Sequence, residues 1–141
     1  MEDRYLFKAK SKRTGQWVEG FYFLMAYEGG EIPCIGTDPL NANDYSEIHR
    51  YCYEEIESET LCQCTGLTDK NGKLISEGDI FLAGYWKWKC KVVWDSERAA
   101  FIGLTNDKEA EIVYVSMKDR QNLSAVEVIG NIFDNPELME V

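Results

Sequence analysis

The residues of this 141-residue chain best suited to chemistry are its five cysteines and single histidine. His49-x-x-Cys52 followed by Cys62-x-Cys64 places four soft ligands within sixteen residues, and a turn over Glu54 to Glu59 would fold the two pairs together. Structural zinc sites usually present C-x-x-C pairs on tight knuckles, whereas Cys-x-Cys in a strand points both thiols to one face. The competing reading takes Cys34, Cys52, Cys62, Cys64 and Cys90 as reduced thiols packed as small hydrophobes. Their odd number, and an N-terminus without the basic flank, apolar run and cleavage site of a signal peptide, argue against an oxidising compartment. A cytoplasmic location follows, with no cofactor and no metal expected. His49, Cys52, Cys62 and Cys64 remain the candidate ligand set.

Trp86-Lys-Trp-Lys-Cys-Lys91 interleaves basic and aromatic residues, the combination used to bind single-stranded nucleic acid. Alternation along a strand sends Trp86, Trp88, Cys90, Val92 and Trp94 to one face and Lys87, Lys89, Lys91, Val93 and Asp95 to the other. Rings and ammonium groups would then not share a surface. The simpler reading buries the Trp residues and makes Lys87, Lys89 and Lys91 a solvated row that guards a sheet edge. A nucleic-acid contact through those three lysines is the alternative.

Glu54, Glu55, Glu57 and Glu59 could be imagined as paired acids, but adjacent glutamates in a polar run more often form a mutually repelling, solvated face. In Glu77-Gly-Asp79, Asp79 is expected to fix a turn by accepting backbone hydrogen bonds. No serine or cysteine sits in an elbow motif, and Gly29-Gly30 lacks the strand-to-helix context of a phosphate loop. No catalytic residue is assigned, and the protein is expected not to be an enzyme.

These side chains must be positioned by short strands. Composition, 45% hydrophobic with 13% aromatic, is that of a folded globular chain, and no apolar run approaches the roughly 20 residues of a membrane helix. A net charge of -10 disfavours non-specific attraction to nucleic acid or anionic lipid while favouring basic protein partners. Tyr5 to Lys10 alternates, Ser11 to Gly15 turns, and Trp17 to Leu24 returns, which predicts a hairpin with a bulge or close backbone approach at Gly20. Residues 28–53 are punctuated by Gly and Pro, with short strands expected near Ile32 to Ile35 and Ile48 to Tyr53. Extended structure is expected after Ser58, a tight turn at Asp69-Lys-Asn-Gly72, and further strands at Ile80 to Leu82, Trp86 to Asp95, Ala99 to Leu104, Ile112 to Val115 and Ala125 to Phe133. Pro136 to Glu140 allows one helical turn. The expected fold is all-β, an antiparallel small barrel or sandwich with at most short helical turns. It is read as a single domain over 1–141, with a hairpin region over about 1–58 and a barrel-like region over about 59–141.

Three segments carry a family resemblance. Lys12-Arg-Thr-Gly-Gln-Trp-Val-Glu-Gly20 is similar to the opening hairpin of the YopX family of phage and prophage proteins. Glu59-Thr-Leu-Cys-Gln-Cys-Thr-Gly-Leu-Thr-Asp-Lys-Asn-Gly-Lys-Leu-Ile-Ser-Glu-Gly-Asp-Ile80 resembles its central block, and Glu127-Val-Ile-Gly-Asn-Ile-Phe-Asp-Asn-Pro-Glu-Leu138 its closing segment. The resemblance implies an all-β fold with SH3-like barrel character in the C-terminal part, a phage or prophage gene, and scope for self-association. It implies no catalytic residue or ligand to carry over. Cys62 and Cys64 stand where the family pattern is usually not Cys, against an essential thiol role there. The function expected from residues and resemblance together is a phage or prophage accessory protein acting by protein binding, as a homo-oligomer or on another partner, with an uncharacterised enzyme as a further alternative beside the nucleic-acid module.

Overall fold

Alternating apolar residues bounded by Gly, Asp and Asn turns form antiparallel strands throughout the computed structural model, which describes residues 5–36, 53–83, 87–105, 115–116 and 126–140. Two compact units result, Met1–Gln63 and Cys64–Val141. Among the described residues the helical content is confined to short 3-10 turns. The fold is all-β, built of open antiparallel sheets of the small barrel or sandwich class.

In the first unit, β1 (Phe7–Lys10) and β2 (Trp17–Tyr27) form the expected hairpin, with Phe7 opposite Gly20 and Lys10 opposite Trp17. Ser11 holds its turn: the Ser11 Oγ accepts from the Arg13 and Thr14 amides at 3.2 and 3.3 Å and donates to Glu54 Oε2 at 2.8 Å. β2 does not stop at Leu24. It runs on to Tyr27, turns through Glu28 and Gly29, and pairs along its distal half with β3 (Gly30–Gly36). β4 (Tyr53–Glu55) adds to β3, and of the strand expected over Ile48 to Tyr53 only Tyr53 lies within the described residues. The order is β4-β3-β2-β1-β5, where β5 (Cys62–Thr68) meets β1 at Cys62 and Gln63. Ala9, Ile35 and Ile56 form the core, flanked by Phe7, Val18 and Leu61. The expectation of extended chain after Ser58 is modified by a 3-10 turn over Ser58–Thr60, which Thr60 closes by donating Oγ1–H to the Glu57 carbonyl at 2.6 Å and accepting the Lys10 amide at 2.8 Å.

In the second unit, the continuation of β5 pairs with β6 (Leu74–Ser76) around the Asp69 to Gly72 turn, where Gly72 takes φ +80. β7 (Asp79–Ala83), β8 (Trp88–Asp95), β9 (Ala100–Thr105) and β10 (Val115–Ser116) form a meander, and β11 (Glu127–Asn131) returns to β7. The sheet order is β10-β9-β8-β7-β11. Ile75, Phe81, Ala83, Cys90, Val92 and Val126 are its core. Pro136–Met139 is the single 3-10 turn that Pro136 announced.

Candidate functional site

β1 pairs with β2 only as far as Gly20, so among the described strands the distal part of β2 is paired with β3 alone, and these distal halves form a two-stranded arm. Alternation along β2 sends Tyr22, Leu24 and Ala26 to one face and Phe21, Phe23, Met25 and Tyr27 to the other. Tyr22 meets Phe7 at 6.0 Å between ring centroids, and Phe23 meets Tyr53 edge-on at 6.3 Å. Beyond these contacts the apolar side chains stay in solvent: Leu24 is 52% and Tyr27 57% exposed, and Phe21, Tyr22 and Tyr53 are exposed as well. Single exposed apolar residues are ordinary, but several along one strand, Tyr22 and Leu24 on one face and Phe21 and Tyr27 on the other, mark an interaction surface. From Phe21 to Tyr27 the arm carries no charge, in a chain of net charge -10.

Its base is fastened by charge and hydrogen bonds. Arg13 Nη2 lies 2.7 Å from Glu54 Oε1, and Lys12 Nζ lies 3.1 Å from Glu55 Oε1. The Arg13 hydrogen bond, with that from Ser11, holds the Glu54 carboxyl below its ordinary range against the opposing effect of burial. Glu54 and Glu55 are thus turn fasteners, which corrects the expectation that they form a freely solvated acidic face. The physical reason is that the Ser11–Ile56 bridge brings the 11–13 turn beside β4. The Pro33 carbonyl accepts from the Ile56 amide at 3.1 Å, and the Glu55 carbonyl from the Lys12 amide at 3.0 Å, tying the arm's root to both hairpin ends.

The family model described as YopX protein matches residues 6–140. The chain belongs to the YopX family. The crystal structure of protein EF1440 from Enterococcus faecalis is similar at 22% identity, over 95% of this chain and 96% of that chain, with a TM-score of 0.46. No curated protein matches.

In this YopX chain the other predicted sites are scattered. His49 and Cys52 lie outside the described residues. Cys62 and Cys64 are buried: Cys62 Sγ donates to the Thr60 carbonyl at 3.2 Å, and Cys64 Sγ accepts from Ser76 Oγ at 3.5 Å. Among the described residues no three His, Cys, Asp or Glu side chains converge as a metal would need. Burial pushes the Cys90 thiol up to about 11, and burial followed by the Glu55 charge raises that of Cys34, so neither supplies thiolate at neutral pH.

The lysine row divides. Lys87 precedes β8, with φ +50, in place of the strand position expected for it. Lys89 is exposed and Lys91 half-buried, and the residues paired with them, Leu82, Ile80 and Leu104, offer no ring to stack on. β8 lies between β7 and β9, so the lysines guard no edge: the sheet order makes β8 an interior strand. Of the tryptophans expected in the core, Trp88 packs against it, Trp86 lies outside the described residues, and Trp94 is 49% exposed at the strand's end, edge-on to Phe101 at 5.1 Å.

Sequence reasoning missed a second basic and aromatic grouping. Lys8 and Lys10 lie 5.0 and 5.5 Å from the Trp17 ring centroid, brought there by the β1–β2 register. Linear spacing hides it because the partners sit on different strands. It also missed the arm. The signal was present in the uncharged apolar run from Phe21 to Tyr27 followed by Glu28-Gly29, a two-residue hairpin turn.

Proposed function

We propose that this YopX protein is a non-enzymatic phage or prophage accessory protein that acts in the bacterial cytoplasm by binding protein through the β2–β3 arm. One observation carries the reading: Phe21, Tyr22, Leu24 and Tyr27 are exposed along the distal part of β2, over both of its faces, with Tyr53 of β4 exposed as well. Aromatic side chains are the usual anchors of protein interfaces because each buries a large apolar area at low rotamer cost. The surrounding negative charge suits a partner with a basic rim, which it would steer toward the neutral arm. Among the described residues, those paired with Lys89 and Lys91 offer no ring for the stacking that nucleic-acid binding uses, and the net charge opposes that mode.

Affinity capture from prophage-bearing cells, with the wild-type chain and a Phe21→Ser/Tyr27→Ser variant, tests the reading. Both positions are solvent-facing, so the variant is expected to fold, and it should lose the proteins that the wild type retains by about tenfold or more. Equal capture by the two chains would contradict an interface on the arm.

A further inference from the structure

Pro33 reveals which way the arm's backbone points. It lies opposite Leu24 in the β2–β3 ladder, and without an N–H it cannot make the two reciprocal bonds of a hydrogen-bonded pair. Its carbonyl instead accepts from the Ile56 amide, on the side away from β2. Leu24 and Pro33 are therefore a non-hydrogen-bonded pair, and Leu24 turns both its N–H and its C=O away from β3. Tyr22 and Ala26, two residues to either side, do the same. β1 closes that edge only up to Gly20, so from Phe21 to Tyr27 no described strand pairs with it. The arm's other edge is blunted by Pro33 and by the charge of Glu31, whereas the β2 edge has neither proline, charge nor bulge along its seven residues. Natural sheets rarely leave such an edge unpaired, because it is a ready template for another strand.

On the footing that the arm is a protein-binding surface, we propose that this edge pairs antiparallel with the same edge of a second copy, about a two-fold axis at Leu24. β1 stops opposite Gly20 and β2 ends at Tyr27, so the register that uses the whole open edge is the one centred on Leu24. That register sets Phe21 against Tyr27, Tyr22 against Ala26, Phe23 against Met25 and Leu24 against itself. Tyr22, Leu24 and Ala26 are then the hydrogen-bonded positions, giving about six interchain bonds. Charge permits a second copy at this place: two chains of net charge -10 repel elsewhere, but the seven residues of the open edge carry no charge, and the flanking Glu19 already has Lys8 of β1 opposite it. The result is an isologous interface, the commonest kind in homodimers.

Light scattering and residue-resolved amide exchange on the full chain test the pairing. The expected mass is twice the 16.2 kDa of one chain. On dilution below the dissociation constant, the amides of Tyr22, Leu24 and Ala26 should lose about 100-fold or more of their protection, while those of Phe23 and Met25, bonded to β3, keep theirs. Leu24→Pro removes an edge donor and nothing from the β3 ladder, and Leu24→Lys sets like charges across the axis, so both are expected to be monomeric. A wild-type chain that stays monomeric up to about 1 mM overturns the proposal. So does a dimer whose three amides exchange freely and that survives both substitutions. Neither result touches the broader reading of the arm, which fails separately if capture is indifferent to Phe21→Ser/Tyr27→Ser.

Discussion

Asp69→Ala is expected to destabilise the second unit by about 3–5 kcal/mol, enough to unfold much of it at room temperature. Asp69 is only 6% exposed and its carboxylate holds three backbone donors: Oδ1 accepts from Asn71 and Lys73, both at 2.9 Å, and Oδ2 from Val128 at 3.0 Å. The first two close the β5–β6 turn. The third, with the Lys70 amide donating to the Val126 carbonyl at 3.0 Å, clips that turn to the strand that returns to β7. An alanine leaves those donors without their acceptor, and the loss of a multiply bonded buried acceptor costs far more than one average hydrogen bond.

The same carboxylate predicts an acid limb. Burial alone would raise the Asp69 pKa, but the Val128, Lys73 and Asn71 amides outweigh it and hold it below its ordinary 3.8. A carboxyl depressed in the folded state contributes stability at pH above its unfolded value, and loses it as pH falls through the folded one. Asp69→Asn removes the charge and turns an amide donor on one of the three N–H groups. The stability gap between wild type and Asp69→Asn, from urea unfolding followed by amide exchange in β7, β8 and β11, should be widest near neutrality and narrow below about pH 4. A gap independent of pH would mean that the charge has no part in the clip.

Gly20→Ala is expected to cost about 3 kcal/mol or more in the first unit, toward the upper end for overpacking. A Cβ on Gly20 would overlap the Gly36 carbonyl oxygen and crowd Ile35 Cγ2 at 3.1 Å. The obstacle is backbone, so no side-chain rotation relieves it, and β3 would have to move away from β2 where the arm begins. Near-normal stability in Gly20→Ala, measured by denaturant unfolding, would show that the two strands separate at little cost. The expected loss should instead be accompanied by faster amide exchange at Phe23 and Met25, which bond to β3.

Gly20 was legible from the sequence as a close approach because glycine inside an apolar alternation has few other uses, though not which backbone it approaches. The Asp69 to Gly72 turn and the Asp79 cap were legible for a related reason: short acidic side chains beside glycine bond their own backbone. Asp79 Oδ2 accepts the Ser76 amide at 2.9 Å as that chemistry requires. The core face of β8 was legible through its period of two, but where β8 sits in the sheet was not, because strand order depends on distant partners. Hence Trp94 reads as core and emerges half-exposed, and the lysines read as edge protection on an interior strand. The arm escaped for the opposite reason. Its apolar residues look like any core strand, and only because β1 begins at Phe7, opposite Gly20, do they lack a described strand on that side.

Side-chain footprinting by hydroxyl radicals tests most directly whether the arm is the surface through which the protein acts. The wild-type chain would be labelled alone at low concentration and again in whatever complex it forms, with itself or with a captured partner. Labelling of Phe21, Leu24 and Tyr27 is predicted to fall several-fold in the complex, while Trp94 changes little. Unchanged labelling along the arm, with protection appearing on the face of Lys89 and Lys91, would contradict that role.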